Sequence, residues 1–204
     1  MIKEQAEDDE WDSWDDDDDS DRTNVSAQYG RLPTFDHNGK LRNQKGALVI
    51  YTDGACSNNG KRRNGLAVAK SGCGVFGGDW LQESFVNPSA HLPEGKTNNF
   101  AEAHAIERAL QCVAQANENR VEIRTDSMYC IDSITKWSSG WIRRAQDGVW
   151  HNSSNKPIVH QAVFEAILKM MKTIKVDYTH VRGHSGIDHG NDMADQLAVK
   201  GAQC

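Results

Sequence analysis

Four carboxylates in this 204-residue chain stand where side chains of sheet proteins do chemistry. Asp53 ends a strongly apolar, strand-like run and precedes Gly54, and Asp126 closes the run VEIRTD ahead of Ser127. Functional groups in α/β sheets gather at strand ends and at the neighbouring helix ends, so two such aspartates invite a shared site. Glu102 adds a third carboxylate in the first turn of an alanine-rich amphipathic stretch. Asp195 adds a fourth in the first turn or two of the last such stretch, with Asp192 close enough to compete for the place. Carboxylates without a histidine or cysteine cluster suit a hard, oxygen-loving cation such as Mg²⁺ and not zinc. Taken singly, each has a plainer explanation. A strand-end aspartate forms turns and caps, and a glutamate near a helix start is a surface charge favoured by the helix dipole.

These positions require strands and helices in a definite order. Three strand-like runs in succession, Ala47–Gly54, Gly74–Trp80 and Gln82–Asn87, predict an antiparallel meander. Over 98–117, Ala103, Ile106, Leu110 and Val113 recur at spacings of three and four, which predicts an amphipathic helix. Val121–Asp126 reads as a strand and Ser127–Thr135 as a short helix capped by Ser127, followed by a polar loop with tryptophans. A helix near 161–171, a strand over Lys175–Val181 and a last helix over about 191–200 complete the order βββαβααβα, an α/β domain over 46–204.

Charge is unevenly spread. The formal net charge is −6, yet residues 1–22 hold twelve acids and two bases, while the rest hold 17 acids against 21 bases. The acidic run cannot offset its ordering entropy by burial and repels itself, so 1–22 is expected to be a disordered tail. Such a tail either competes with nucleic acid for a basic face or only solubilises the chain. Residues 23–45 read as a linker or irregular lead-in. The net positive body admits a nucleic-acid partner that the overall charge would argue against. No run approaches the roughly 18 apolar residues of a membrane span, and no secretory or transit signal is read. The five cysteines, Cys56, Cys73, Cys112, Cys130 and Cys204, are odd in number and lack CxxC spacing, so neither zinc nor a disulfide framework is suggested. A nuclear or cytoplasmic protein is expected.

Five strings occur in order: YTDGACSNNG (Tyr51–Gly60), TNNFAE (Thr97–Glu102), TDSMY (Thr125–Tyr129), W-x3-W (Trp137, Trp141) and HVRGHSG…GNDMAD (His180–Asp195). Together they closely resemble type 1 ribonuclease H, the family that cleaves RNA in RNA–DNA hybrids, over about 47–202. The resemblance implies that family's α/β fold, a mixed five-stranded sheet with helices on both faces. It implies a sequence-independent endonuclease that leaves 5′-phosphate and 3′-hydroxyl ends. By it, Asp53, Glu102, Asp126 and Asp195 become the ligands of two Mg²⁺ ions, with Mn²⁺ as a substitute, and His184 assists product release. One ion activates water and the other stabilises the leaving 3′ oxygen. The family frame G-N-x-x-A-D, reproduced by Gly190, Asn191, Ala194 and Asp195, favours Asp195 over Asp192.

Similarity to the family also implies RNA-strand contacts at Cys56, Ser57, Asn59, Asn98 and Asn99, where small polar groups meet 2′-hydroxyls. It implies DNA-strand contacts at Lys96, Thr97, Tyr129, Trp137, Trp141, Ser153 and His160. The plainer alternatives are turn and cap chemistry for the asparagines and a satellite core for the aromatics. Lys136, Arg143, Arg144, Lys156 and His151 match a basic protrusion, and Lys61, Arg62 and Arg63 follow the first loop. The sequence departs from the family in its phosphate pocket. Thr97 is kept, but Gly95 stands for the arginine and His160 for the asparagine, which predicts weaker or pH-sensitive anchoring. The segments 65–70 and 141–150 are longer than is typical of the family, and the spacing from GHSG to Asp195 carries one extra residue. The partner implied is an RNA–DNA hybrid, bound by a monomer with no membrane and no obligate protein partner. Rival classes are a catalytically silent hybrid binder, a ribonuclease H domain cut from a reverse transcriptase, and another metal nuclease on the same sheet, such as a resolvase or integrase.

Overall fold

The computed structural model describes residues 32–57, 62–63, 66–67, 70–89, 97–183 and 188–204. The expected acidic tail, 1–22, lies outside them. The strands are β1 (Thr34–Phe35), β2 (Leu41–Arg42), β3 (Leu48–Ser57), β4 (Arg62–Arg63), β5 (Leu66–Ala67), β6 (Lys70–Gly78), β7 (Leu81–Val86), β8 (Arg120–Thr125) and β9 (Lys175–His180). The helices are α1 (Asn98–Gln115), α2 (Met128–Asp132), α3 (Ser138–Arg143), α4 (Gln161–Met170) and α5 (His189–Gln203), with one turn of π-helix (Ser133–Trp137) joining α2 to α3.

Five long strands run β9-β8-β3-β6-β7 across the main sheet. β3, β6 and β7 form the antiparallel meander, while β8 lies parallel to β3 and β9 parallel to β8. The α/β expectation of a mixed sheet therefore holds. β4 and β5 form a separate two-stranded ribbon.

Period-two alternation divides the side chains between two unlike faces. Leu48 and Ile50 of β3, Val75 of β6, and Val121 and Ile123 of β8 meet Ala103, Ile106, Leu110 and Val113 of α1 and Phe164 and Ile167 of α4 in the larger core. Each of the valine, leucine, isoleucine and phenylalanine side chains contributes about 1.5–3 kcal/mol on burial. The intervening residues Val49, Tyr51 and Phe76 form a smaller core with Ala194, and Met193 and Leu197 pack beside it. α5 packs on β6, β3 and β7. It can approach closely because a methyl group at Gly72 or Gly74 would strike the backbone of α5, at Ala198 to Ala202 or at Ala194 and Ala198 respectively.

The structure departs from the sequence pattern in three places. The lead-in is not all irregular: from Thr34 the chain forms the hairpin β1–β2, which joins β3 at Leu48 and reaches Gly78 through Lys40. Arg42 and Lys40 anchor it to Glu118, and Asn43 donates to Glu122 at 2.7 Å. Short strands broken by Gly39 and Gly46, both at positive φ, hide this pairing from a periodicity search. Asp53 does not end its strand, because β3 continues to Ser57 in pairing with β6. The tryptophan segment is helical as far as Arg143, and Ser138 satisfies its hydroxyl inside the helical run, where its Oγ donates to Ile134 O at 2.9 Å. Among the described residues, no helix is long and apolar enough to cross a membrane.

Candidate active site

The sheet opens where β3 outruns β8. Their last paired residues are Tyr51 and Arg124, and two residues further along each chain come Asp53 and Asp126. Alternation puts Asp53 on the α5 face together with Tyr51. α1 approaches from the opposite face beside Gly54. A methyl group there would strike the backbone of Ala101 and Glu102, so only glycine lets the helix bring Glu102 in. Glu102 is in the second turn of α1, whose first turn carries no acid, one step deeper than the sequence suggests. Thr97 caps the helix by accepting from Phe100 N at 3.4 Å.

One oxygen each from Asp53, Glu102 and Asp126 lies within 4.8 Å of the others. Asp53 and Glu102 are buried and Asp126 is half-buried. Burial pushes the Asp53 carboxyl above the usual carboxylate range, and the charges of Asp126 and Asp195 push it further in the same direction. Burial likewise raises Glu102 well above its ordinary value, reinforced by Asp53 and Asp126. Glu102 Oε1 accepts from Asn98 Nδ2 at 3.4 Å, whereas its buried Oε2 has no hydrogen-bond partner. An orphaned buried oxygen in a crowd of like charges fits a hard divalent cation and suits no apolar ligand. Asp195 lies one helical turn beyond Asp192 on α5 and is not in the group of three, but its charge reaches Asp53. Asp192 is in the first turn of α5.

Two supporting residues escape a search by residue type. Gly183 stands against Asp126, and a methyl group there would strike that aspartate's Oδ2. Asp188 caps α5, accepting from Gly190 N at 3.2 Å. The signal for Gly183 is the GHSG string, of which it is the first residue.

Around this centre the other predicted residues divide. Ser57 and Asn98 are exposed, and Cys56 and Asn99 are half-buried, at the end of β3 and the start of α1. Tyr129, Trp137 and His160 form a half-buried aromatic group: Tyr129 Oη and His160 Nδ1 are 2.8 Å apart, and the His160 ring meets Phe100 edge-on at 3.9 Å. Burial pulls the His160 pKa down to about 4, so it is neutral at ordinary pH, against the pH-sensitive anchoring expected from its type. Trp141 is only 6% exposed and packs on Phe164, which makes its ring part of the core. Ser153 is exposed on the loop before α4. Of the basic residues, Lys136 pairs with Asp132 at 2.6 Å and Arg144 clips the loop through the carbonyls of His151 and Asn152, while Arg143 and Lys156 are exposed. Asn59, Lys61, Lys96 and His184 lie outside the described residues, as do the side chains of Arg62 and Arg63.

Three carboxylates meet at the open flank of a mixed sheet, close enough for one cation to reach them all, and the fold that brings them together is the one the five strings imply. The chain belongs to the RNase H family, whose model matches residues 45–203. It is 36% identical over 156 residues to human Ribonuclease H1, covering 76% of this chain and 50% of that protein. It is 32% identical over 160 residues to Ribonuclease H of Maricaulis maris, covering 76% of this chain and 92% of that protein. The chain thus spans about half the length of its mammalian relatives. Among solved structures, a foamy viral protease-reverse transcriptase in complex with dsDNA matches with a TM-score of 0.56 at 25% identity, covering 76% of this chain and 92% of that one. The same kind of viral protein in complex with an RNA/DNA hybrid matches with a TM-score of 0.61 at 23% identity, covering 89% of this chain and 24% of that one.

Proposed function

We propose that the chain is a ribonuclease H: a sequence-independent endonuclease that hydrolyses the RNA strand of RNA–DNA hybrids, using Mg²⁺ with Mn²⁺ as a substitute. The observation that carries this reading is the meeting of Asp53, Glu102 and Asp126 within 4.8 Å, in a chain of this family. In this reading those three carboxylates and Asp195 hold the metal. A divalent ion held there supplies an activated water and charge stabilisation for the departing 3′ oxygen.

The chain's own residues set the conditions. Asp53 and Glu102 resist ionising together, so they favour a cation that neutralises both. Nearby hydroxyls serve the backbone: Thr125 Oγ1 accepts from Ser127 N at 3.1 Å and Ser127 Oγ from Cys130 N at 3.3 Å. In this reading the nucleophile is water. Cys56, Ser57, Asn98 and Asn99, with Asn59, read the 2′-hydroxyls of the RNA strand. Tyr129 and Trp137 pack on the DNA strand beside Thr97 and His160, with Lys96 and Ser153 completing that side. His184 helps product leave. The protein acts as a monomer in the nucleus or cytoplasm.

Matched RNA–DNA, RNA–RNA and DNA–DNA duplexes, each with and without Mg²⁺, test the reading. Cleavage of the hybrid alone, and only with metal, is expected. Equal cleavage of all three duplexes, or of the DNA duplex alone, would assign the site to another nuclease.

A further inference from the structure

Alternation in β8 sends Glu122, Arg124 and Asp126 to the α5 face, yet α5 packs on β6, β3 and β7 and leaves β8 to find other cover. There Arg124 is held with only 3% of its side chain exposed. Its Nε donates to Glu122 Oε1 at 2.8 Å, and its Nη1 donates to Tyr51 Oη at 3.1 Å and stands 3.8 Å from Asp188 Oδ2. Its guanidinium also lies over the Tyr51 ring, 5.6 Å from the centroid. Glu122 is held in turn by Thr179 Oγ1 at 3.0 Å and Asn43 Nδ2 at 2.7 Å.

These partners are not scattered. Tyr51 lies two residues before Asp53 on β3, Arg124 two residues before Asp126 on β8, and Asp188 caps the helix that carries Asp195. Gly190, next in that cap, has no side chain because the Tyr51 ring fills the space. From its place on β8, one guanidinium thus bonds β3 through Tyr51 and stands within ion-pair distance of the residue that caps α5. Stability alone is a poor reason for it, since well-packed apolar residues commonly replace buried ion pairs at no loss. Its planar fork, by contrast, engages several acceptors in fixed directions, which lysine cannot do.

We propose that Arg124 is a positioning residue that holds β3, β8 and α5 in register, so that Asp53, Asp126 and Asp195 converge on one cation. The proposal rests on the reading of these carboxylates as metal ligands. Outer partners of metal ligands are typically worth about 10- to 100-fold in metal affinity or activity.

The test uses the full chain. Mn²⁺ binding is measured by titration calorimetry for the wild type, Arg124→Lys and Asp188→Asn, the last of which keeps a capping oxygen but loses the charge. Thermal midpoints and steady-state cleavage are measured in parallel. Both variants are expected to bind Mn²⁺ at least about tenfold more weakly, with kcat lowered and KM for the hybrid within twofold. Arg42→Met, which breaks the surface pairing to Glu118 and Asp36, is the control; it is expected to lower the midpoint and leave Mn²⁺ affinity unchanged. If Arg124→Lys does not fold, Asp188→Asn decides. Lowered midpoints with wild-type Mn²⁺ affinity would make Arg124 merely structural and overturn the proposal. Asp53→Asn separates this failure from that of the carboxylate reading: if it too leaves Mn²⁺ binding unchanged, the reading of the ligands has failed, and not the clamp alone.

Discussion

Asp53 on β3 and Gly74 on β6 face each other across the sheet, and the backbone of α5 at Ala194 lies against Gly74, where a side chain would be. The residue after Ala194 is Asp195, so this glycine sets how near the fourth carboxylate comes to the first.

Gly74→Ala is accordingly expected to push α5 outward. Overpacking of this kind costs about 1–3 kcal/mol. Gly72→Ala, which presses on the same helix at Ala198 to Ala202, should cost a similar amount. The two differ in activity: Gly74→Ala should lose much more cleavage than Gly72→Ala when both are assayed well below their thermal midpoints. Equal activity loss would show that the distance from α5 to Asp53 is not what matters.

The raised carboxyls of Asp53 and Glu102 fix a pH dependence of stability. A group whose folded pKa exceeds its unfolded value stabilises the fold fully below the unfolded value and loses that contribution as pH rises through the folded one. For Asp53 that window runs from about 4 to about 8. The EDTA-treated protein should therefore lose thermal stability as pH rises across it. Asp53→Asn should flatten the loss and gain about 1–2 kcal/mol at the alkaline end while abolishing cleavage. An Asn variant with the wild-type slope would contradict the account.

Much of this site was legible in the sequence for physical reasons. VEIRTD alternates apolar and polar residues because one face of β8 meets α1 and the other does not, and the three- and four-residue spacing in α1 places Ala103, Ile106, Leu110 and Val113 in the core. Other features were not legible. β1 and β2 are two residues each, too short for a period, and their pairing depends on Arg42 and Asn43 reaching Glu118 and Glu122 some eighty positions away. Trp141 matched an aromatic motif, but its burial depends on Phe164, which no local pattern predicts. The neutral state of His160 likewise comes from burial against Phe100 and Tyr129, and a residue's type does not reveal its solvent.

That neutrality is measurable. Hybrid affinity, followed on an Asp53→Asn background to prevent cleavage, should owe no change between pH 6 and 8 to His160, whose pKa lies near 4. His160→Phe leaves the Tyr129 hydroxyl without its 2.8 Å partner, at a cost of about 1–3 kcal/mol in stability. The change in affinity over that pH range should be the same for wild-type His160 and for His160→Asn; a change seen only with the histidine refutes its neutrality.

Gly183 supports Asp126 by leaving room for its carboxylate. Gly183→Ala must displace that oxygen, and a misplacement of about 1 Å at a reacting centre can cost on the order of 100-fold in rate. Because the atom displaced is the end of a flexible side chain, stability should change by only about 0.5 kcal/mol. Wild-type kcat in a correctly folded Gly183→Ala protein would remove this residue from the site.

In the proposed function, the carboxylates meeting between β3, α1 and β8 carry out metal-dependent cleavage of RNA paired with DNA. A hybrid labelled on both strands, incubated with the wild type and with Asp53→Asn, each with Mg²⁺ and with EDTA, tests it most directly. Internal cuts in the RNA strand alone, with 5′-phosphate and 3′-hydroxyl ends, are expected from the wild type with Mg²⁺ and in no other arm. RNA cleavage by Asp53→Asn at the wild-type rate, or by the wild type in EDTA, would contradict it.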